Sequence, residues 1–257
     1  MLCVLPPRVM RDLLPIFTLG FLFGIIISTK GGIFMNLSRL ESLVGEENIL
    51  KIKKLNVLVL GLGGVGGYTV ESLVRCGISN ITLVDGDTIK PSNINRQIIA
   101  TSKNNNKYKT KEWKKRIKKI NPDAIVNIIN THITEDNMEV LFSMKYDYII
   151  DCCDTSKVKI KLVKECFNKG IKLVSSMGMA NKMDATKIMI STLDKTETDP
   201  LAKKIRSEVR DKEMMKNVTV VYSNEKPINN TMLGSAVFVP AVAGLYITNY
   251  IINDVTK

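Results

Sequence analysis

The chain has 257 residues, 45% of them apolar and 24% charged, which suits one large domain or two small ones with a sizeable core. The 37 Lys and Arg exceed the 25 Asp and Glu, so the net charge is +12, which fits either an anionic partner or a Lys-rich solvated surface. The five cysteines form no CxxC pair. This spacing excludes a four-cysteine zinc site, and we predict a reducing, cytoplasmic compartment rather than a disulfide framework.

Residues 1–34 differ from the rest of the chain. The stretch LLPIFTLGFLFGIIIS (13–28) is an uncharged run, short for a membrane span and typical of a signal-peptide core. Export as a signal peptide would conflict with the predicted cytoplasmic location. A membrane anchor is therefore one alternative for this stretch. The other is that Met35 is the true start, because Lys30-Gly31-Gly32 can be encoded by the ribosome-binding sequence AAAGGAGGT. We favour the second alternative, with residues 35–257 as one domain.

From residue 35 onward, strand-like and helical segments alternate. The strands are predicted at 56–61, 80–85, 124–130, 146–151 and 172–178, and the helices at 65–76, about 107–120, 135–144 and 156–169. A further strand is expected at 218–225, and the apolar stretch 235–252 is expected to form a helix in the core or in a dimer interface. This order predicts an α/β fold with a Rossmann-like, doubly wound, mostly parallel sheet.

Polar and glycine residues follow the strands of this predicted sheet. The stretch GLGGVG (61–66) comes after the first strand, Asp85 and Asp87 come at the second, and Asp151 and Asp154 come at the fourth. Ligands of such sheets bind at the carboxyl ends of the strands, so the three groups are expected to face one crevice. The glycines let a phosphate approach a helix N-terminus, and Asp85 lies at the spacing expected for a carboxylate on ribose hydroxyls. A dinucleotide fits this pattern as well as a nucleoside triphosphate does.

The stretch VDGDTIKPSNINRQ (84–97) favours a triphosphate. Asn93, Asn95, Arg96 and Gln97 follow the acidic pair, and an arginine fork stabilises charge that develops on phosphate oxygens. Mg²⁺ takes only one or two protein carboxylates, which Asp151 and Asp154 could supply. A dehydrogenase is the weaker alternative because no residue indicates hydride transfer, and the only histidine, His132, is expected to be structural.

Four motifs in this order, GxGGVG, DxD, SNxNRQ and DCxDT, resemble the ThiF/MoeB/HesA adenylating enzymes. The resemblance covers about residues 40–255 and implies adenylation of a carboxylate with ATP and Mg²⁺, by a homodimer. It implies phosphate contacts from Gly63, Asn95, Arg96 and Lys109, a ribose contact from Asp85, a Mg²⁺ contact from Asp154, and Arg39 reaching into the partner's site. The predicted catalytic set is Arg39, Arg96, Lys109 and Asp154, and the predicted nucleotide-binding set is Gly61, Gly63, Gly64, Gly66, Asp85, Asp87, Asn93, Asn95, Arg96, Lys109 and Asp154.

Two further stretches resemble one branch of these enzymes, the tRNA threonylcarbamoyladenosine dehydratases. The stretches are SSMGMANKMDAT (175–186) and DKTETDPLAKKIR (194–206). The resemblance implies a ligase-type enzyme that activates the threonylcarbamoyl carboxylate on adenosine 37 of ANN-decoding tRNA and closes it into a cyclic base. Some relatives carry a cysteine near 218–225, where this chain has Val220 or its neighbours, and a tethered nucleophile needs no covalent enzyme intermediate. Ser175, Ser176 and Lys182 are candidates to assist ring closure.

The alternative branch adenylates the C-terminus of a ubiquitin-like sulfur carrier, with a sulfur-relay protein as partner. Its bacterial members resemble one another in a double CxxC zinc site, which this chain lacks. Two basic runs favour tRNA instead: residues 103–119 hold nine Lys and Arg, and residues 202–216 hold six. Tyr108 and Trp113 could stack on a base, but packing roles are favoured for both. Membrane association is the less favoured alternative.

Overall fold

The computed structural model describes residues 35–228 and 232–257, and it contains seven strands in one sheet. The strands are β1 (Asn56–Leu60), β2 (Asn80–Val84), β3 (Ile125–Ile129), β4 (Tyr148–Asp151), β5 (Lys172–Ser176), β6 (Ile188–Thr192) and β7 (Val218–Ser223). Their order across the sheet is β3-β2-β1-β4-β5-β7-β6. Every neighbouring pair is parallel except β6 and β7, which are antiparallel. The predicted doubly wound, mostly parallel fold is confirmed.

Helices cover both faces of the sheet. In the described residues they are α1 (Ser38–Val44), α2 (Glu46–Lys54), α3 (Gly64–Arg75), α4 (Lys109–Ile120), α5 (Ser156–Lys169), α6 (Pro200–Val209), α7 (Lys212–Lys216) and α8 (Phe238–Thr256). Short 3₁₀ turns occur at Pro91–Asn93, Met138–Phe142, Ala185–Lys187 and Leu193–Lys195.

The alternation of side chains along each strand divides the core into two layers. In β1, Val57 and Val59 join one apolar cluster, whereas Leu58 and Leu60 join the other. The first cluster includes buried residues of α2, α3, α4 and α8, and the second includes those of α5, α6 and α7. Helices that follow one another in sequence can therefore lie on opposite faces of the sheet.

The C-terminal helix α8 packs against α3 in the first layer. The hydroxyl of Thr69 donates to the carbonyl of Gly244 at 3.3 Å, and the hydroxyls of Ser72 and Thr248 lie 2.6 Å apart. The two helices approach closely, and these contacts give each buried hydroxyl a hydrogen-bond partner. The predicted helix in 235–252 is thus present in the core, although it begins only at Phe238 and extends to Thr256. Among the described residues, no helix is both long and apolar enough to cross a membrane.

Two sequence-based expectations differ from the structure. The helix predicted at 135–144 is only the 3₁₀ turn Met138–Phe142, because the Asn137 side chain accepts from the Thr134 amide and donates to the His132 carbonyl. No strand or helix is predicted from the sequence between 178 and 218, where the structure has β6, α6 and α7. The expectations for residues 1–34 fall outside the described residues.

Candidate active site

The glycine turn after β1 forms an open cradle at the N-terminus of α3. Gly61 has φ +86°, and an added Cβ there would lie 2.8 Å from the backbone of Cys152. A Cβ on Gly66 would lie 1.8 Å from the Gly61 carbonyl oxygen. At Gly63, in contrast, the nearest heavy atom is Nε2 of Gln97 at 3.8 Å from the added Cβ. The turn is therefore packed against backbone atoms at Gly61 and Gly66 and open to a ligand at Gly63. The free backbone amides at the N-terminus of α3 favour an anion there.

Asp85 holds this turn in place from the end of β2. Its Oδ2 accepts from the Leu62 amide at 2.7 Å, and its Oδ1 accepts from the Asp87 amide at 2.7 Å. The carboxylate is largely buried, with 8% of the side chain exposed. Because a carboxylate has about four acceptor positions, Asp85 retains capacity for a ribose hydroxyl.

Lys109, the first residue of α4, reaches back to the acidic pair. Its Nζ lies 2.8 Å from Oδ2 of Asp87 and 3.5 Å from Oδ2 of Asp85. Partial burial acts to raise the pKa of Asp87, but the hydrogen bond and charge of Lys109 outweigh this effect and hold the pKa below its ordinary value. His132 lies 3.7 Å from the other oxygen of Asp87 and is exposed. The structure therefore joins residues that are 22 positions apart in the sequence at one edge of the crevice.

The loop 88–97 brings its arginine and amides beside the cradle. Asn93 is buried, and its Oδ1 accepts from the Lys90 amide at 3.0 Å, so this side chain holds the loop itself. Arg96 donates to the Ser92 carbonyl at 2.7 Å and to Oδ1 of Asn95 at 3.1 Å. A Cβ on Gly64 would lie 3.7 Å from Cγ of Arg96. Arg96 is therefore next to the α3 N-terminus.

Gln97 belongs to the cradle, although the predicted site set omits it. Its side chain is 6% exposed, its Nε2 faces Gly63, and its Oε1 has no hydrogen-bond partner within the described residues. A buried amide oxygen without a partner costs free energy that a bound ligand can recover. The signal was available in the sequence, because Gln97 directly follows Arg96 in the SNINRQ stretch.

Asp151 and Asp154 have different surroundings and do not form a carboxylate pair. Asp151 is fully buried, and its Oδ2 accepts from Nζ of Lys159 at 2.9 Å and from the Ser175 hydroxyl at 2.7 Å. Complete burial acts to lower the pKa of Lys159, but the Asp151 carboxylate overrides it and raises the pKa. Asp154 is exposed. Of the two, Asp154 alone is open to a cation.

The described residues contain no group of three His, Cys, Asp or Glu side chains arranged to hold a metal ion. A single exposed carboxylate still suits Mg²⁺, which usually combines one or two carboxylates with substrate phosphates and waters. Asp154 fits that pattern.

The thiols beside the crevice are poorly suited to act as nucleophiles. Burial, together with the charge of Asp151, raises the pKa of the Cys152 thiol to about 12 and that of Cys153 well above its ordinary value. Val220 is buried in β7.

The two narrow motifs after β5 meet in a second buried ion pair. Nζ of Lys182 lies 3.1 Å from Oδ2 of Asp199 and donates to the Gly178 carbonyl at 2.8 Å and the Ser223 carbonyl at 3.3 Å. Asp199 also caps α6 by accepting from the Ala202 amide at 2.9 Å. Both side chains are at most 1% exposed, so Lys182 is engaged within the fold.

Asn181, next to Lys182, fixes the chain on either side of residues 229–231. It has φ +57°, its amide donates to the Gly234 carbonyl at 2.8 Å, and its Oδ1 accepts from the Gly234 amide at 2.6 Å. Its carbonyl accepts from the Ile228 amide at 2.7 Å. The neighbouring Ser235 carbonyl accepts from the Asn95 side chain at 3.2 Å. These contacts connect the loop after β5 to the arginine loop, which the sequence analysis did not predict.

Arg39 lies apart from this crevice within one chain. It is exposed on α1, and a Cβ on Gly77 would lie 2.7 Å from the side chain of Leu37, which precedes α1. Gly77 precedes β2, so α1 begins at the amino end of the sheet, opposite the glycine turn. An Arg39 that acts at the crevice must therefore come from another copy.

The fold and site define a nucleotide-binding α/β protein with an arginine beside a glycine cradle. The chain belongs to the ThiF family, whose model matches residues 37–253. It is 38% identical over 239 residues to the tRNA threonylcarbamoyladenosine dehydratase of Bacillus subtilis, covering 86% of this chain and 94% of that one.

The chain is also similar to a solved dehydratase structure and, over a shorter stretch, to an adenylyltransferase. The Escherichia coli tRNA N6-threonylcarbamoyladenosine dehydratase TcdA in complex with ATP is similar with a TM-score of 0.82 and 30% identity, over 90% of this chain and 97% of that one. The molybdopterin-synthase adenylyltransferase of Haemophilus influenzae is 30% identical over 134 residues, 52% of this chain and 54% of that one. The similarity to the dehydratases therefore extends over more of the chain.

Proposed function

We propose that this chain is an ATP-dependent tRNA threonylcarbamoyladenosine dehydratase. It activates the threonylcarbamoyl carboxylate on adenosine 37 of ANN-decoding tRNA and closes it into the cyclic base. The open cradle, with Arg96 beside it and the unpartnered Gln97 oxygen within it, carries this proposal. Similarity to a named dehydratase over 94% of that protein's length supports the choice of substrate.

The cradle residues fit the triphosphate of ATP. Gly63 leaves room above the first amides of α3, Arg96 and Asn95 lie next to it, and Asp85 retains acceptor capacity for the ribose. Lys109 carries its positive charge into the same crevice from α4. We assign phosphate contacts to Gly63, Gly64, Asn95, Arg96 and Lys109, and a ribose contact to Asp85. Gly61 and Gly66 allow the close turn, and Asp87 and Asn93 hold the loop.

The proposed reaction has two steps, activation of the carboxylate by ATP and closure of the ring. An oxygen of the substrate carboxylate attacks the α-phosphorus of ATP, a P–O bond forms, and pyrophosphate leaves with the electron pair of the broken bond. The tethered nucleophile then attacks the activated carbonyl carbon and gives up its proton to solvent, and AMP leaves with the former carboxylate oxygen and the electron pair of the broken C–O bond. The substrate thereby loses the elements of water. Mg²⁺ held at Asp154 would neutralise charge on the phosphate oxygens, and Arg96 would stabilise charge that develops there.

No thiol is required for this sequence of steps. Ring closure is intramolecular, so the nucleophile already has a high effective concentration at the activated carbonyl. The raised thiol pKa values of Cys152 and Cys153 agree with this route. The alternative, adenylation of a sulfur-carrier C-terminus, uses the same nucleotide cradle and differs only in the carboxylate that enters.

A mass measurement tests the proposal. The full chain is incubated with ATP, Mg²⁺ and tRNA that carries threonylcarbamoyladenosine, and the tRNA is digested to nucleosides. We expect a modified nucleoside lighter by one water, with AMP formed in equal amount. An unchanged nucleoside, with ATP–pyrophosphate exchange that depends on a ubiquitin-like carrier, would contradict the proposal and support the alternative.

The proposal includes a homodimer in which Arg39 of each copy acts in the other copy's crevice. Arg39→Ala and Arg96→Ala are each expected to inactivate the enzyme. A mixture of the two, after subunit exchange, contains dimers with one intact crevice, so about a quarter of the wild-type activity should return. Absence of recovery in exchanged dimers, verified by mass, would contradict the trans role of Arg39.

A further inference from the structure

The two basic runs of the chain lie on opposite faces of the sheet. Trp113 and Ile117 of α4 are buried in the first apolar cluster, whereas Ala202 and Ile205 of α6 are buried in the second. α4 packs against β3, the strand at one edge, and α7 packs near β7, at the other end of the sheet. Within one chain the two runs therefore lie on different surfaces, and each is compared separately as a contact for a nucleic acid.

The run 103–119 separates into two cations that pair with acids of other elements and seven that are exposed. Lys109 is bound by Asp85 and Asp87, and Arg116 binds Glu71 with Nε at 2.7 Å and Nη2 at 2.9 Å. The remaining seven are exposed, and Lys115 alone of them pairs with the one acid within the run, Glu112, at 2.7 Å: Lys103, Lys107, Lys111, Lys114, Lys115, Lys118 and Lys119. This outer face of α4 and its preceding loop, which we call the α4 lysine face, is therefore almost purely positive.

The run 202–216 has a mixed charge. Its six cations alternate with Glu208, Asp211 and Glu213. Arg206 is also engaged, because its Nη1 donates to the Thr196 carbonyl at 2.8 Å. Interspersed charges of both signs are typical of an ordinary solvated surface and attract a polyanion weakly.

The α4 lysine face is continuous with the crevice. Lys109 opens α4 inside the crevice, and Tyr108 pairs through its backbone with Thr88 in the arginine loop. The Tyr108 ring is 42% exposed, and Nζ of Lys111 lies 5.1 Å from its centroid. The 12 residues of α4 extend roughly 18 Å away from the crevice at about 1.5 Å per residue. Phosphates that flank a base in the crevice can therefore follow these lysines.

We propose that the α4 lysine face binds the phosphate backbone of the RNA whose modified base enters the glycine crevice, and that residues 202–216 do not. The inference rests on the proposed tRNA substrate. The α4 lysine face contributes affinity for RNA of any sequence, because lysine contacts to phosphates do not distinguish between bases.

Two matched triple variants test the inference in the full chain. One is Lys107→Gln, Lys111→Gln and Lys114→Gln on the α4 lysine face. The control is Lys203→Gln, Lys204→Gln and Lys212→Gln, which removes the same charge from exposed positions in the other run. For each, the Kd for an unmodified tRNA transcript is measured across a salt series, and ATP binding and the thermal midpoint check the fold.

We expect the α4 variant to raise Kd on the order of tenfold near physiological salt and to reduce the log–log salt slope by about three, roughly one for each lost phosphate contact. The control should stay within twofold of the wild type. An equal or larger loss in the control, or no change in either variant, would overturn the inference. The proposed function is judged separately: if the wild type binds tRNA yet never lightens the modified nucleoside, the function fails while the docking surface stands.

Discussion

Two regions at the carboxyl ends of the strands carry the narrow motifs of this chain, and they use polar side chains differently. The glycine crevice, comprising residues 61–66, 85–97 and Lys109, leaves open space at Gly63 and holds a buried Gln97 oxygen that has no hydrogen-bond partner within the described residues. The β5 loop, residues 177–187, closes its motif residues on the rest of the fold, with Lys182 bound to Asp199 and Asn181 bound to Gly234.

The difference separates residues that receive ligands from residues that shape the site. Motif residues with unfilled donors or acceptors are suited to a substrate, whereas a fully satisfied buried pair mainly fixes geometry. We therefore expect substitutions in the crevice to affect chemistry with the fold intact, and substitutions in the β5 loop to affect stability first.

The largest effect is expected from Lys182→Met. Removal of Lys182 leaves the buried Asp199 carboxylate with the Ala202 amide as donor and with no opposite charge, which lowers the free energy of unfolding by about 3–5 kcal/mol. Urea denaturation measures this value. Lys172→Met is the control, since Lys172 pairs with Asp254 at 2.7 Å on the surface and should cost at most about 1 kcal/mol. If the two variants lost the same free energy of unfolding, the buried pair would be no more important to stability than the surface pair, contrary to this prediction.

Arg96→Ala is expected to have the next largest effect, on catalysis alone. Loss of a donor that stabilises developing phosphate charge lowers turnover about 10²–10³-fold, with the thermal midpoint unchanged. AMP formation in the presence of modified tRNA measures the rate. Arg96→Lys keeps the charge but loses the planar fork, so it should recover only part of the activity. Turnover at the wild-type rate in Arg96→Ala would show that the triphosphate assignment is wrong.

Asn181 connects the two regions, and a pair of substitutions there sharpens the comparison. Asn181→Gly keeps the left-handed backbone and removes one side-chain hydrogen bond, at a cost of about 1 kcal/mol. Asn181→Ala removes the same bond and adds about 1–2 kcal/mol of backbone strain at φ +57°. Denaturation midpoints should fall in that order. Identical midpoints would argue against the left-handed backbone at Asn181.

The smallest effect concerns the pH dependence of the pair formed by Asp87 and Lys109. The pKa of Asp87 is lowered in the folded state, so its stabilising contribution is complete above the unfolded pKa, about 3.9, and is lost as pH falls through the lower folded value. The stability difference between wild type and Asp87→Asn should therefore be constant near neutral pH and shrink below about pH 4. A difference that grows on acidification would contradict this sign.

Local patterns in the sequence determined the parallel part of the fold. Apolar runs and glycine punctuation predicted β1, β2, β3, β4, β5, the helices between most of them and the helix near the C-terminus, because each is specified by residues within a short window. The antiparallel β6 was missed because only Ile188 of its five residues is buried, so its sequence lacks the continuous apolar run of the central strands.

The sequence was sufficient to name the residues of the site. Which of them bind one another within the fold, and which remain available to a ligand, required the tertiary structure. Spacing and resemblance singled out the glycines, Asp85, Arg96 and Asp154. Only the packed chain pairs Asp151 with Lys159, pairs Lys182 with Asp199, and buries the Gln97 oxygen at the cradle without a partner among the described residues. It also places the two basic runs on opposite faces of the sheet. Side-chain partners and faces depend on contacts between distant segments, which a linear pattern of residue types does not specify.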